Sequence, residues 1–220
     1  MIIAIDGPAG AGKSTVAKIV AQKLGFLYID TGAMYRALTL KSLEENIAVR
    51  DALAIIILAR RINIELTNNH DGSLKILLDG QDVSSPIREP RITKLVSEIA
   101  RIKEVREIML GLQRKMGKDR DSVLDGRDIG TVVFPDADKK FYIDADFSVR
   151  VNRRYKELKE SGQNVSENDV EADLKNRDTI DSTREFAPLK KAEDAIFIDT
   201  TDLSINQVAE KLFSEINKGK

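Results

Sequence analysis

Eight consecutive residues constrain this chain more than any other feature. Gly7-Pro8-Ala9-Gly10-Ala11-Gly12-Lys13-Ser14 matches the pattern G-x-x-x-x-G-K-[ST] in full. Glycines let successive backbone N–H groups turn inward around phosphate oxygens, and the helix that follows points its positive end at the same place. Lys13 adds a charge for the outer phosphates, and the Ser14 hydroxyl is suited to ligate Mg²⁺. The pattern carries this meaning only between a strand and a helix. Its flanks supply that context: residues 2–6 (IIAID) read as a buried parallel strand, and residues 13–24 place Val16, Ala17, Ile19, Val20 and Leu24 at helical spacing. Strand, glycine-rich turn and helix open an α/β sheet domain. Gly7 through Ser14, with Thr15, form the predicted nucleotide site; a chance glycine-rich turn is the plain alternative.

Composition narrows the class. A chain of 220 residues suits one globular domain, or a core with one small inserted subdomain, and buries a sizeable core without disulfides or metals. Lys plus Arg number 35 against 36 Asp plus Glu, so the basic excess of a nucleic-acid binder is missing. Cysteine is absent, which removes a disulfide framework, a thiolate nucleophile and a cysteine metal site. The single histidine, His70, lies in the turn signal N-N-H-D-G and is expected to be solvated. No apolar run is long enough to cross a bilayer. The start MIIAIDG has no basic n-region and enters a strand at once, so it does not read as a signal peptide. A cytoplasmic enzyme is the expectation.

Along the chain, residues 26–30 are a second strand candidate and 33–46 a second helix. Asp51 caps a third helix running to Arg61, with ALAIIILA as its expected buried face. Residues 62–84 break the pattern and read as two or three short strands, with hairpin signals at Asp71-Gly72 and Asp79-Gly80. Residues 87–117 predict two helices meeting near Arg101, and strands follow at 122–125, 139–144 and 195–199. The charged stretch 146–185 predicts two helices, with a turn at Ser161-Gly162-Gln163-Asn164 and an N-cap at Ser166. The closing helix starts at Ser204, where Gln207 completes a capping box. The expected fold is α/β: five parallel strands with helices on both faces, plus a small antiparallel β insertion.

The most distinctive stretch is Asp125-Gly126-Arg127-Asp128-Ile129-Gly130-Thr131-Val132-Val133-Phe134-Pro135. With I-D-G-P-A-G-A-G-K (5–13), D-T-G-A-M-Y-R (30–36) and A-P-L (187–189), it makes nearly the whole chain resemble the bacterial cytidylate kinases. The resemblance implies a sheet of the P-loop kinase type with a core at 1–61, 87–145 and 186–220. It implies a nucleoside-monophosphate-binding insertion at about 62–86, and a helical lid with substrate-binding helices at about 146–185. It implies ATP and Mg²⁺, the acceptors CMP and dCMP, and a monomer; the balanced charge and the lack of a long apolar run add the expectation of neither nucleic-acid nor membrane partners. By position, Arg36, Arg127 and Arg184 would hold the acceptor phosphate, and Ser97, Arg106 and Asp128 would read the cytosine edge. Arg177 and Asp181 would grip the ribose. Thr31 would contact the nucleotide where many relatives have serine. Arg153, beside Arg150 and Arg154, would belong to a lid over ATP; Lys13, Arg127 and Arg153 would be the catalytic cations.

Physical chemistry supports these assignments separately. Arginine forks suit bidentate phosphate recognition and stay charged. Cytosine offers an amino donor beside a ring-nitrogen acceptor, which Asp128 and Arg106 complement; uracil reverses both polarities. Plainer alternatives stand beside each. Arg36, Arg106 and Arg184 would be helix-surface arginines, and Arg150, Arg153 and Arg154 a solvated face. Asp128 would cap the helix after it or pair with Arg127. Asp125 ends a strand either to hold a Mg²⁺-bound water or to cap a turn. The mechanism implied is in-line transfer to an already ionised acceptor phosphate, with no general base. Rival functions are a kinase for another small acceptor (AMP, UMP, shikimate or a coenzyme precursor) and a nucleotide-binding regulator without transferase activity. An N-K-x-D base-reading signature, expected of a GTPase, is missing.

Overall fold

The computed structural model describes residues 1–68 and 74–218. His70 and the Asp71-Gly72 hairpin signal lie outside the described residues.

Five strands form one parallel sheet: β1 (Ile2–Asp6), β2 (Leu27–Asp30), β6 (Ser122–Gly126), β7 (Lys139–Asp144) and β8 (Ile196–Asp199). Their spatial order is β2-β6-β1-β7-β8, all pairs parallel. The apolar runs of these strands are covered on both faces. Ile3, Ile5, Val123 and Phe141 join the main core with Val16 and Val20 of α1 (Lys13–Leu24) and Val208 and Leu212 of α8 (Ile205–Asn217). Ala4, Ile29 and Leu124 alternate with them and pack instead against Ile129, Val133 and Phe134.

An aspartate stands at the carboxyl end of each parallel strand: Asp6, Asp30, Asp125, Asp144 and Asp199. Each accepts hydrogen bonds from backbone N–H or hydroxyl groups close by. Asp6 takes those of Ile129 and Gly130, Asp30 that of Ala33, Asp144 that of Ala145, and Asp199 those of Thr201. Ligands of open α/β sheets bind outside this edge.

The Asp30 cap starts α2 (Thr31–Glu44) at once, two residues before the expected start at 33. Asp51 caps α3 (Ala52–Arg61) as its sequence predicts, through the Ala54 N–H. The expected burial of the whole ALAIIILA run needs correction. Ile55, Leu58 and Ala59 face the core, while Leu53 is 69% and Ile57 55% exposed, because a helix turns only one stripe inward.

The insertion is a separate antiparallel sheet, β3 (Ile64–Asn68), β4 (Leu74–Leu78) and β5 (Gln81–Asp82). Asp79 (φ 51°) and Gly80 (φ 82°) close the β4–β5 hairpin with both residues left-handed, as a two-residue type I′ turn requires. Helices α4 (Pro90–Ala100) and α5 (Lys103–Lys118) meet at Arg101-Ile102. Helices α6 (Phe147–Glu160) and α7 (Glu167–Thr183) follow β7, and capping boxes at Ser166/Asp169 and Ser204/Gln207 start α7 and α8.

Candidate active site

The loop between β1 and α1 is held from behind by β7. A Cβ on Gly7 would fall 1.9 Å from the Ile143 carbonyl oxygen, so only glycine lets the two backbones meet. Gly12 (φ 88°) is the N-cap of α1 and offers no side-chain oxygen, which leaves the helix's first N–H groups for a ligand. Lys13 is buried, and its ammonium donates to the Pro8 carbonyl at 2.6 Å. Burial and the neighbouring Arg127 guanidinium hold its pKa well below that of an ordinary lysine.

Ser14 Oγ donates to Asp125 Oδ2 at 2.7 Å, and the Tyr28 hydroxyl to Asp125 Oδ1 at 2.8 Å. Both Asp125 oxygens therefore serve hydroxyls, so the turn-capping alternative does not describe this residue. Burial, with Asp30 nearby, pushes its carboxyl above the usual carboxylate range. The Thr31 hydroxyl donates to the Asp125 carbonyl at 2.7 Å.

From this loop a cavity of about 820 Å³ continues to a wall of arginines. Of the sequence-predicted site residues, all but Gly7 and Pro8 line it. Five elements supply the far end. Arg36 projects from α2 and bonds Thr93 Oγ1 at 2.7 Å. Arg106 of α5 lies with its guanidinium carbon 5.3 Å from the Tyr35 ring centre, donates to the Ala100 carbonyl at 3.1 Å and pairs with Asp128 at 2.6 Å. Arg127, just after β6, pairs with Asp181 at 2.8 Å. Arg177 lies on α7, and Arg184 caps its C-terminus, bonding the Ala187 carbonyl at 2.7 Å. Ser97 of α4 is buried among them.

The helix-surface alternative fails for Arg106 and Arg184, which are 3% and 8% exposed, and Arg36 is itself half-buried. Asp128 makes no side-chain cap bond to the turn after it; it pairs with Arg106 and lies 3.7 Å from Arg184. Guanidiniums therefore outnumber carboxylates here. Burial holds the pKa of Arg177 and Arg184 down, with Arg127 beside the first and Arg106 beside the second. It holds that of Arg36 at about 9. Arg106 Nε, Arg177 Nε and Arg184 Nη2 are buried without a hydrogen-bond partner. Charged donors of this kind, crowded and unpaired, favour an anion.

The α6 arginines divide. Arg150 is buried and bonded to the Ala9 carbonyl and, at 2.5 Å, to Asp178, so it braces the loop and is no solvated lid residue. Arg153 lines the cavity with its fork on the Thr200 hydroxyl and carbonyl, at 3.0 and 2.6 Å.

Asp30 and Arg88, 3.8 Å apart, also line the cavity and were not predicted. The repeated aspartate at the strand ends was the available signal for Asp30; Arg88 had none. Among the described residues no three His, Cys, Asp or Glu side chains group as a metal-ligand cluster.

A family model described as cytidylate kinase matches residues 3–218. The curated cytidylate kinase of Caldanaerobacter subterraneus subsp. tengcongensis is 52% identical over 216 residues, covering 98% of this chain and 94% of that protein. That of Clostridioides difficile is 50% identical over 217 residues, covering 99% and 98%. Among solved structures, shikimate kinase from Acinetobacter baumannii in complex with shikimate has a TM-score of 0.50 at 16% identity, covering 100% of this chain and 95% of that one. At that identity the likeness speaks to the fold alone.

Proposed function

This chain belongs to the cytidylate kinase family, and from that premise we propose that its cavity has a donor end at the phosphate loop and an acceptor end at the arginine wall. The enzyme phosphorylates CMP to CDP with ATP. The observation that carries the division is the set of unpartnered guanidinium nitrogens on Arg106, Arg177 and Arg184, opposite Lys13 in one continuous cavity.

In this reading Arg36, Arg127 and Arg184 hold the CMP phosphate, whose ionised oxygen attacks the γ-phosphorus of ATP. The new O–P bond forms as the bond to the β–γ bridging oxygen breaks, and ADP leaves. No proton has to be removed first, which fits a cavity whose lining among the described residues holds no histidine. Catalysis then rests on positioning and on charge supplied by Lys13, Arg127 and Arg153. Ser14 and Asp125 are oxygen donors 2.7 Å apart, a pair suited to a hard cation, and would hold Mg²⁺ or its water. The ion would neutralise charge on the phosphoryl oxygens.

Arg106, Asp128 and Ser97 face the base; Arg177 and Asp181 face the sugar, where dCMP is the second acceptor. The β3–β5 sheet is the acceptor clamp, and α6 with α7 the lid that excludes water. One chain supplies both ends, so we read it as a monomer; its likeness to bacterial cytidylate kinases supports reading it as cytoplasmic. No helix among the described residues is long and apolar enough to cross a membrane.

The test is initial rates with Mg·ATP against CMP, dCMP, UMP, AMP and GMP at equal concentration, for the parent and for Asp128→Ala. Preference for CMP and dCMP that collapses in the variant supports the assignment. A profile unchanged by Asp128→Ala would overturn the reading of the acceptor end.

A further inference from the structure

The family-like stretch after β6 ends in an unusual element. Ile129–Val133 form a single π-helical turn, closed by i→i+5 bonds from the Val133 N–H to the Asp128 carbonyl (3.1 Å) and from the Phe134 N–H to the Ile129 carbonyl (2.7 Å). Turns this wide are rare and concentrate at functional sites. Left alone, such a turn exposes orphan N–H groups at one end and orphan carbonyls at the other.

Both ends are answered by side chains distant in sequence. The Asp6 carboxyl group accepts from the Ile129 N–H at 2.8 Å and the Gly130 N–H at 2.7 Å, one acceptor oxygen for each N–H at the N-terminal end. Arg114 of α5 donates through Nε to the Val133 carbonyl at 2.9 Å and through Nη2 to the Val132 carbonyl at 2.8 Å, a cation at the C-terminal end. Gly130 sits tightly against its neighbours, since a Cβ there would lie 3.2 Å from the Lys140 side chain and 3.4 Å from Asp6 and would make them shift.

Neither Asp6 nor Arg114 lines the cavity. Each is tied to something that does. Asp6 directly precedes Gly7 of the phosphate loop. Arg114 is two turns along α5 from Arg106, the partner of Asp128. The clamped turn begins at the residue after Asp128. Burial drives the Asp6 carboxyl up to about 7 even with its two N–H partners, so this bracket is kept at an energetic cost.

We propose that Asp6 and Arg114 are positioning residues that fix the Ile129–Val133 turn, and through it Asp128, so that selection of the acceptor base is set partly from outside the cavity. The inference rests on Asp128 facing the base. Its scope is the acceptor end; the phosphate loop, which Asp6 adjoins, is also held by β7 at Gly7 and by α6 at Ala9.

Two variants test it, each measured for kcat, for KM of CMP, UMP and ATP, and for thermal midpoint. Arg114→Met keeps the aliphatic stem but loses both carbonyl bonds. Asp6→Asn keeps one acceptor oxygen and sets an amide NH₂ against the second N–H. The expected signature in both is a CMP KM raised about tenfold, because small misplacements of a binding group are amplified. The CMP-over-UMP ratio of kcat/KM should fall by a similar factor in both, while ATP KM stays within about twofold in Arg114→Met, whose carbonyl bonds do not reach the phosphate loop. A lower thermal midpoint with parental CMP KM and parental CMP-over-UMP ratio would assign the bracket to folding alone and overturn the proposal. Asp128→Ala, run alongside, separates the two levels. Loss of discrimination there without loss in Arg114→Met or Asp6→Asn refutes the positioning role only. Unchanged discrimination there refutes the reading of Asp128 beneath it.

Discussion

Lys13 shows most clearly how a single side chain is kept for chemistry at the expense of stability. Its ammonium is buried, crowded by Arg127 and, among the described residues, hydrogen-bonded only to the Pro8 carbonyl of its own loop. Removing it relieves a desolvated charge, so Lys13→Ala should leave the thermal midpoint unchanged or slightly raised. Its kcat should fall on the order of a hundredfold or more, as expected on losing a charge aimed at the transferred phosphoryl. Near-parental turnover in steady-state assays would contradict the role given to Lys13. At this scale the sequence was most readable where a residue type has few other uses: the glycines and lysine of the loop, and the aspartate–arginine run at 125–128. It was least readable where a side chain acts through partners far along the chain. Nothing near Arg114 announces that it closes a turn 18 residues on, and nothing near Asp6 announces N–H groups 123 residues away.

Among the elements, helix starts were legible because their chemistry is local. Ser166 and Ser204 each accept from the backbone N–H three residues on and are answered by Asp169 and Gln207. Ser166→Ala should cost about 1 kcal/mol of unfolding free energy by urea titration. With Arg177, Asp181 and Arg184 all beyond the first turns of α7, CMP KM should barely move. A large rise in that KM would mean that the cap positions the arginines and does more than start a helix. The Asp79-Gly80 hairpin was legible for the same reason, since left-handed φ at two consecutive residues selects that dipeptide. The early start of α2 was missed because Asp30 ends a strand and caps a helix with no residue between. The π-helical turn was invisible, because its widened hydrogen bonding depends on tertiary partners and has no period of its own.

For the molecule as a whole, strand number and direction followed from apolar runs separated by helical segments, but the order β2-β6-β1-β7-β8 did not. Which strands become neighbours is decided by packing across the chain, as in the bonds that join Ser14 and Tyr28 to Asp125. The arginine wall has a consequence that the total charge conceals. The protein carries a formal net charge of −1, so bulk electrostatics alone would gently repel a nucleotide. Yet among the described residues Arg36, Arg106, Arg127, Arg177 and Arg184 meet only three carboxylates, Asp128, Asp181 and, at 3.9 Å, Asp173, at one end of a low-dielectric trough. Such a geometry gathers field lines and draws anions inward from the diffuse ion atmosphere. Stopped-flow association of CMP should therefore slow severalfold between about 0.02 and 0.5 M ionic strength, while dissociation changes less. An association rate indifferent to salt would mean that the wall recognises the nucleotide only on contact and does nothing to recruit it.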